Sequence, residues 1–270
     1  MAKKKFRDFE IPLVAFLPQG PDAEPLYNAL RRGQLDLGFC DYHSETKELR
    51  GSSHLIAGRL NDLLSDSGLR VAVPSDFGLV MNLIQDKFYS DFNALDVREA
   101  TPSDEGNLGI WRQANELAEK EQGKVQYPFR IQGFSLQPDE GESGYKVRII
   151  PANNFEVIQD NRLNLSSGTR FNSVDETGMI NPAKNGKFIW RAGNNGVSGV
   201  FLYSSGSLRS GGGGLAGSGG DGRVVFVTAE GSPQNFLRQK LRSLKRMREA
   251  KVAAVDSWYD NALKEAPSLK

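Results

Sequence analysis

Residues 55–84 read LIAGRLNDLLSDSGLRVAVPSDFGLVMNLI, and the fold turns on how this stretch is divided. Leu55, Ile56, Leu60, Leu63 and Leu64 fall at helical spacing, Ser52 or Ser53 supplies an N-cap, and Gly68 supplies a stop. An alternating run, LRVAV, then predicts a short strand that Pro74 ends. Ser75 and Asp76 cap a second helix that turns Phe77, Val80, Met81 and Ile84 inward. The stretch therefore predicts helix, strand, helix, with both helices amphipathic.

Working outward, residues 1–45 combine the apolar run IPLVAFLP with Pro-Gln-Gly-Pro, which predicts an N-terminal arm or strand followed by turns. Residues 91–126 read as polar and irregular, with one short helix from Trp111 to Gly123. From Tyr127 the pattern becomes β: PFRIQGFSLQ, YKVRIIPA, GKFIWRA, GVFLYSS and GRVVFVTA are strand-like runs separated by Gly, Asn, Asp and Pro. Two helices followed by short antiparallel strands predict an α+β domain over residues 46–230. Residues 231–270 predict a basic amphipathic C-terminal helix, with Arg238, Lys240, Arg242, Lys245 and Arg246 crowded beside Leu237, Leu241 and Leu244.

Composition limits the classes of function. At 270 residues, 39% hydrophobic and formal net charge +1, the chain can bury a core and gives no whole-chain case for nucleic acid. Cys40 is the one cysteine, which excludes an internal disulfide framework and a cysteine-rich zinc site. The start, MAKKKFRDFE, lacks the pattern of a signal peptide, and no segment approaches the roughly 20 apolar residues of a membrane span. The expectation is a cytoplasmic or virion-associated protein.

The corner GLRVAVPSDFGLVMNLI resembles the G-W-R-L-P-T-x-x-E-W/F strand-to-helix corner of C-type-lectin-like domains, the group that includes formylglycine-generating-enzyme-like folds, with Val73 in place of its leucine. FIWRAGNNGVSGVFLYSS and the closing GRVVFV resemble the C-terminal part of the same domains. The two pieces span Leu55 to Thr228. The resemblance implies a C-type-lectin-like domain and, more narrowly, a variable protein of a diversity-generating retroelement, displayed by a phage or a prokaryotic host. Those elements randomise adenines. An Asn codon treated so cannot yield Lys, Glu, Gln, Met or Trp, and none of these five types occurs in residues 194–222.

The same window contains SSGSLRSGGGGLAGSGGDG, residues 204–222, which by composition alone fits a flexible linker. Flanking strands, and Leu208 and Leu215 spaced as core anchors, favour an ordered loop instead. A phosphate loop is excluded, since the glycines lead into a strand and no Lys-Ser/Thr follows. The expected ligand-binding residues are Arg191, Asn194, Asn195, Ser198, Tyr203, Ser205, Ser207, Arg209, Ser210, Gly212, Ser218 and Asp221.

Catalytic constellations are sparse. His43 and His54 are the only histidines. Cys40, Asp41, His43 and Glu45 have metal-ligating side chains in one short cluster, which is a weak pattern, and Asp139, Glu140 and Glu142 read as solvated charges on a hairpin. The expectation is a binding protein with no enzymatic activity, no metal and no cofactor. Its partner is an unidentified protein or surface ligand, with the C-terminal helix available for docking to a carrier assembly and no specific nucleic-acid recognition. The alternative is a structural component of a phage or other particle, assembled through the arm and the basic helix.

Overall fold

The computed structural model describes residues 13–31, 40–64, 69–84, 88–193, 196–211, 214–217 and 221–229. The first expected helix is α2, His54–Leu64, begun by Ser53, whose hydroxyl accepts from the Ile56 amide. Asn61 on its buried side donates to Phe134 O and accepts from Val71 N, which ties the helix to two strands. The strand β4, Arg70–Val71, runs into a turn at Pro74–Asp76, where the Asp76 carboxylate accepts from the Val73 amide and pairs with Arg70. The second expected helix, α3, Phe77–Ile84, follows. Two more helices lie outside that stretch: α1, Ala23–Arg31, and α4, Glu105–Gln122, capped by Asp104 on the Asn107 amide.

Strands dominate the rest. A nine-stranded sheet is assembled from β5 (Tyr89–Val97), β6 (Phe129–Pro138), β7 (Val147–Ile158), β8 (Arg170–Val174), β9 (Ile180–Pro182), β10 (Phe188–Ala192), β11 (Val197–Leu202), β12 (Ser207–Ser210) and β13 (Gly222–Arg223). Its order is β7-β6-β5-β11-β12-β10-β8-β9, with β13 joined to β5. A three-stranded sheet sets β14 (Phe226–Ala229) between β1 (Leu13–Phe16) and β4. A small hairpin pairs β2 (Asp41–His43) with β3 (Glu48–Arg50).

The large sheet is buried on both sides of β5. Leu95 and Val97 pack with Ile110 and Ala114 of α4 in one core, while Phe92 and Ala94 pack with Val80 of α3 and Trp190 of β10 in another. A third core joins Leu26 and Leu30 of α1 to Ile56 and Leu60 of α2 and to Phe226.

The described residues are thus mostly β, with four α-helices beside a nine-stranded sheet. This overturns the α+β, C-type-lectin-like expectation of two helices followed by short antiparallel strands. Two causes stand out. Residues 91–97, which read as polar and irregular, belong to the interior strand β5, because Asp91, Asn93 and Asp96 all find partners inside the protein. The sheet is also mixed, since β10 pairs β12 in parallel and β13 pairs β5 in parallel. The proposed C-terminal helix and the first residues of the N-terminal arm lie outside the described residues.

Candidate ligand-binding face

Strands β10, β12 and β11 lie side by side near the middle of the sheet, and their side chains alternate across it. Trp190, Leu208, Val200 and Leu202 point into the core shared with α3. The opposite side carries a cross-strand row, Arg191 beside Arg209, Arg209 beside Phe201, and Phe201 beside Asp91. The β11–β12 connection is a tight turn in which the Gly206 amide donates to Tyr203 O and the Tyr203 amide donates to Ser207 O. Gly206 sits there at φ 78°, which glycine adopts without the steric cost a Cβ brings. This turn sets Tyr203 over the outer row.

The outer row is packed by rings. The guanidinium carbon of Arg209 lies 4.2 Å from the centre of the Tyr203 ring. Tyr203 meets Phe201 edge-on at 5.5 Å between centroids and Tyr89 at 5.7 Å. Such aromatic pairs contribute about 0.5–1.5 kcal/mol each beyond area burial. Tyr89, Phe201, Tyr203 and Arg209 are half-buried and Arg191 is exposed, so the cluster is at once braced and reachable.

Beneath it lies a buried polar group. His54, at the start of α2, donates from Nε2 to Val200 O at 3.1 Å and stands 3.6 Å from the Asp91 carboxylate. The Ser52 hydroxyl donates to the other Asp91 oxygen. Burial pushes the Asp91 carboxyl above its ordinary range, opposed by the nearby His54 charge and the Ser52 bond. A Cβ on Gly199 would sit 2.0 Å from His54 Cε1, so the absence of a side chain there is what admits the imidazole. Phe201 emerges just past it, 6.4 Å from the His54 ring.

The described residues of the glycine-rich segment after β12 are anchored at both ends. The Gly211 amide donates to Gly199 O at one end, and Gly222 pairs with Tyr89 at the other. Between them Leu215 is 3% exposed inside the α4 core, and the Gly217 amide closes a turn onto Gly214 O. Tyr145, whose hydroxyl is pushed up by burial, hydrogen-bonds the backbone of Leu215 and Ala216.

Of the expected ligand-binding residues, Arg191, Ser205 and Asp221 are exposed, and Tyr203 and Arg209 are half-exposed and in contact. Ser198, Ser207 and Ser210 are buried, at 0%, 7% and 1% exposure, and present no contact surface. Asn194, Asn195, Gly212 and Ser218 lie outside the described residues. Tyr89 and Phe201, absent from that set, belong to the face; period-2 alternation along VSGVFLY is the signal that puts Phe201 opposite Val200 and Leu202.

Other polar clusters are accounted for locally. Burial pushes the Cys40 thiol up to about 12, so it is protonated near neutrality, and the His43 ring bonds Thr46. Among the described residues no group of three or more His, Cys, Asp or Glu is arranged to hold a metal ion. Asp139 and Glu142 meet Arg148, and Glu140 meets Lys146, on the β6–β7 hairpin. The cavity between Arg130, Arg162, Gly178 and Trp190 is water-sized. No helix among the described residues is long and apolar enough to cross a membrane.

Comparison with known proteins adds no relative: the chain matches no protein-family model, no curated protein and no solved structure.

Proposed function

We propose that this protein acts by binding, and that its recognition surface is the outer face of β10, β12 and β11 together with the loops that leave them. One observation carries the reading: these strands put Trp190, Leu208 and Leu202 into the core while Arg191, Arg209 and Tyr203 face outward. Outward side chains on such a scaffold can change ligand choice with little cost to the core. The residue types of positions 194–222, which lack every type that a randomised Asn codon cannot encode, support a surface that differs between copies of the gene. Tyr, Ser, Gly and Arg are also the types that adaptable recognition surfaces favour.

Sequencing the gene across many natural isolates tests this. Variation concentrated at Tyr203, Ser205, Arg209 and Asp221, sparing Gly199, Val200, Leu202 and Leu208, is the expected result. Uniformly low variation across 194–222 would overturn the diversified surface.

A further inference from the structure

The outer face carries two arginines whose placement costs stability when nothing anionic meets them. Arg191 and Arg209 are register partners on neighbouring strands, about 4.8 Å apart, with both side chains on the same side of the sheet. Like charges set directly opposite each other are destabilising. Some arginines of the protein meet carboxylates, as Arg70 meets Asp76 and Arg130 meets Asp96. Among the described residues neither Arg191 nor Arg209 has a carboxylate within salt-bridge distance.

Arg209 is also held ready. Its guanidinium rests on the Tyr203 ring, a contact that engages the flat face of the cation and spends none of its N–H donors. Its Nε is buried without a hydrogen-bond partner. Stacking fixes the orientation of the donor fork before the ligand arrives, so less side-chain freedom is lost on binding.

We infer that Arg191 and Arg209 form a fork for a carboxylate, an Asp or Glu side chain of a protein ligand, presented next to an apolar contact on Tyr203. This rests on the assignment of this face as the recognition surface. A planar guanidinium matches a carboxylate through two parallel bonds. Nucleic acid fits the face less well, because backbone binding relies on rows of cations that neutralise many phosphates. Here the row holds two arginines, with the buried Asp91 further along it beyond Phe201, in a chain of net charge +1.

The experiment is an NMR titration of the full chain, following the arginine Nε–Hε signals. The probes are a terminally blocked tetraglutamate peptide, the matching tetraglutamine peptide and inorganic phosphate. Tetraglutamate is expected to move the Arg191 and Arg209 signals saturably, and tetraglutamine to leave them in place. R209K keeps the charge and loses the fork, and is expected to weaken tetraglutamate at least about tenfold. R191Q alters an exposed side chain, so it keeps the test open if an Arg209 variant fails to fold. The inference is overturned by no saturable shift, by equal shifts with tetraglutamine, by R191Q binding as well as wild type, or by phosphate binding more tightly than the peptide. Variation concentrated on this face combined with a failed titration would remove the carboxylate and leave the recognition surface. Uniform natural sequences combined with a successful titration would do the reverse.

Discussion

Replacing Gly199 with alanine tests the contact that joins α2 to the candidate face. The added methyl would sit 2.0 Å from His54 Cε1 and 2.3 Å from Nε2. Ordinary carbon contacts lie at about 3.5–4.0 Å, so the ring must retreat by roughly 1.5 Å or more. It cannot do so and keep its 3.1 Å bond to Val200 O, the carbonyl of the next residue on the same strand. Overpacking costs about 1–3 kcal/mol and the lost hydrogen bond about 1 more, a total of about 2–4 kcal/mol. Backbone strain adds nothing, since Gly199 does not occupy the left-handed region. Urea denaturation of wild type, G199A, H54A and the double variant measures the effect. With the imidazole gone, the methyl has room, so G199A made on H54A is expected to cost less than about 0.5 kcal/mol, and the cycle to show coupling of about 2 kcal/mol. Additive costs, or a G199A protein as stable as wild type, would refute the contact.

Three further outcomes follow from the same structure. Asp96 and Arg130 form an ion pair at 0% and 1% side-chain exposure, so D96A is expected to lose about 3–5 kcal/mol by stranding a buried guanidinium, as read by chemical denaturation. The Arg162 hydrogen bonds hold the Asp160 carboxyl below its ordinary value; at Asp175 burial works in the opposite direction, but hydrogen bonds from Thr177 and Arg162 outweigh it. Both folded-state values lie below 3.8, so this stabilisation is complete above that pH and disappears as pH falls through them. The difference in Tm between wild type and R162M is therefore expected to be present at neutral pH and to close as pH falls through those lowered values. Cys40, with its thiol raised to about 12, is expected to resist a thiol reagent at pH 8 in the folded protein and to react fully in urea.

The helices α2 and α3 were legible because each keeps one apolar stripe at a period of 3.6 and carries its own start signal, Ser53 or Asp76. The strand β5 was not, for a physical reason. It is buried on both faces, so the alternation that marks a half-buried strand disappears, and its polar residues look like a loop until their partners are known. Those partners are distant in sequence: Asp91 meets Ser52 and His54, and Asp96 meets Arg130. The face was legible in part. Arg191, Tyr203 and Arg209 were expected as contact residues, and register brings them together. Ser198, Ser207 and Ser210 were expected beside them because serine suits a recognition surface, but all three are buried; Ser198 and Ser210 lie on the core side of their strands, while Ser207 is covered although it shares the side of Arg209. Leu208 and Leu215 behave as the anchors their spacing suggested.

The position of β14 has a consequence for how altered copies of this gene fare. It is the central strand of its sheet, paired with β1 from the start of the described chain and with β4, and residues 224–227 place Val224 and Phe226 in one core and Val225 and Val227 in another. Two of the cores described above therefore stay open on a ribosome until the chain has been read six or more residues beyond Asp221. A premature stop or a frameshift anywhere in residues 194–222 deletes that strand, and the product is left with exposed apolar surface that cellular proteases remove. Placing this strand downstream of residues 194–222 makes folding itself a proofreading step, one that discards broken reading frames.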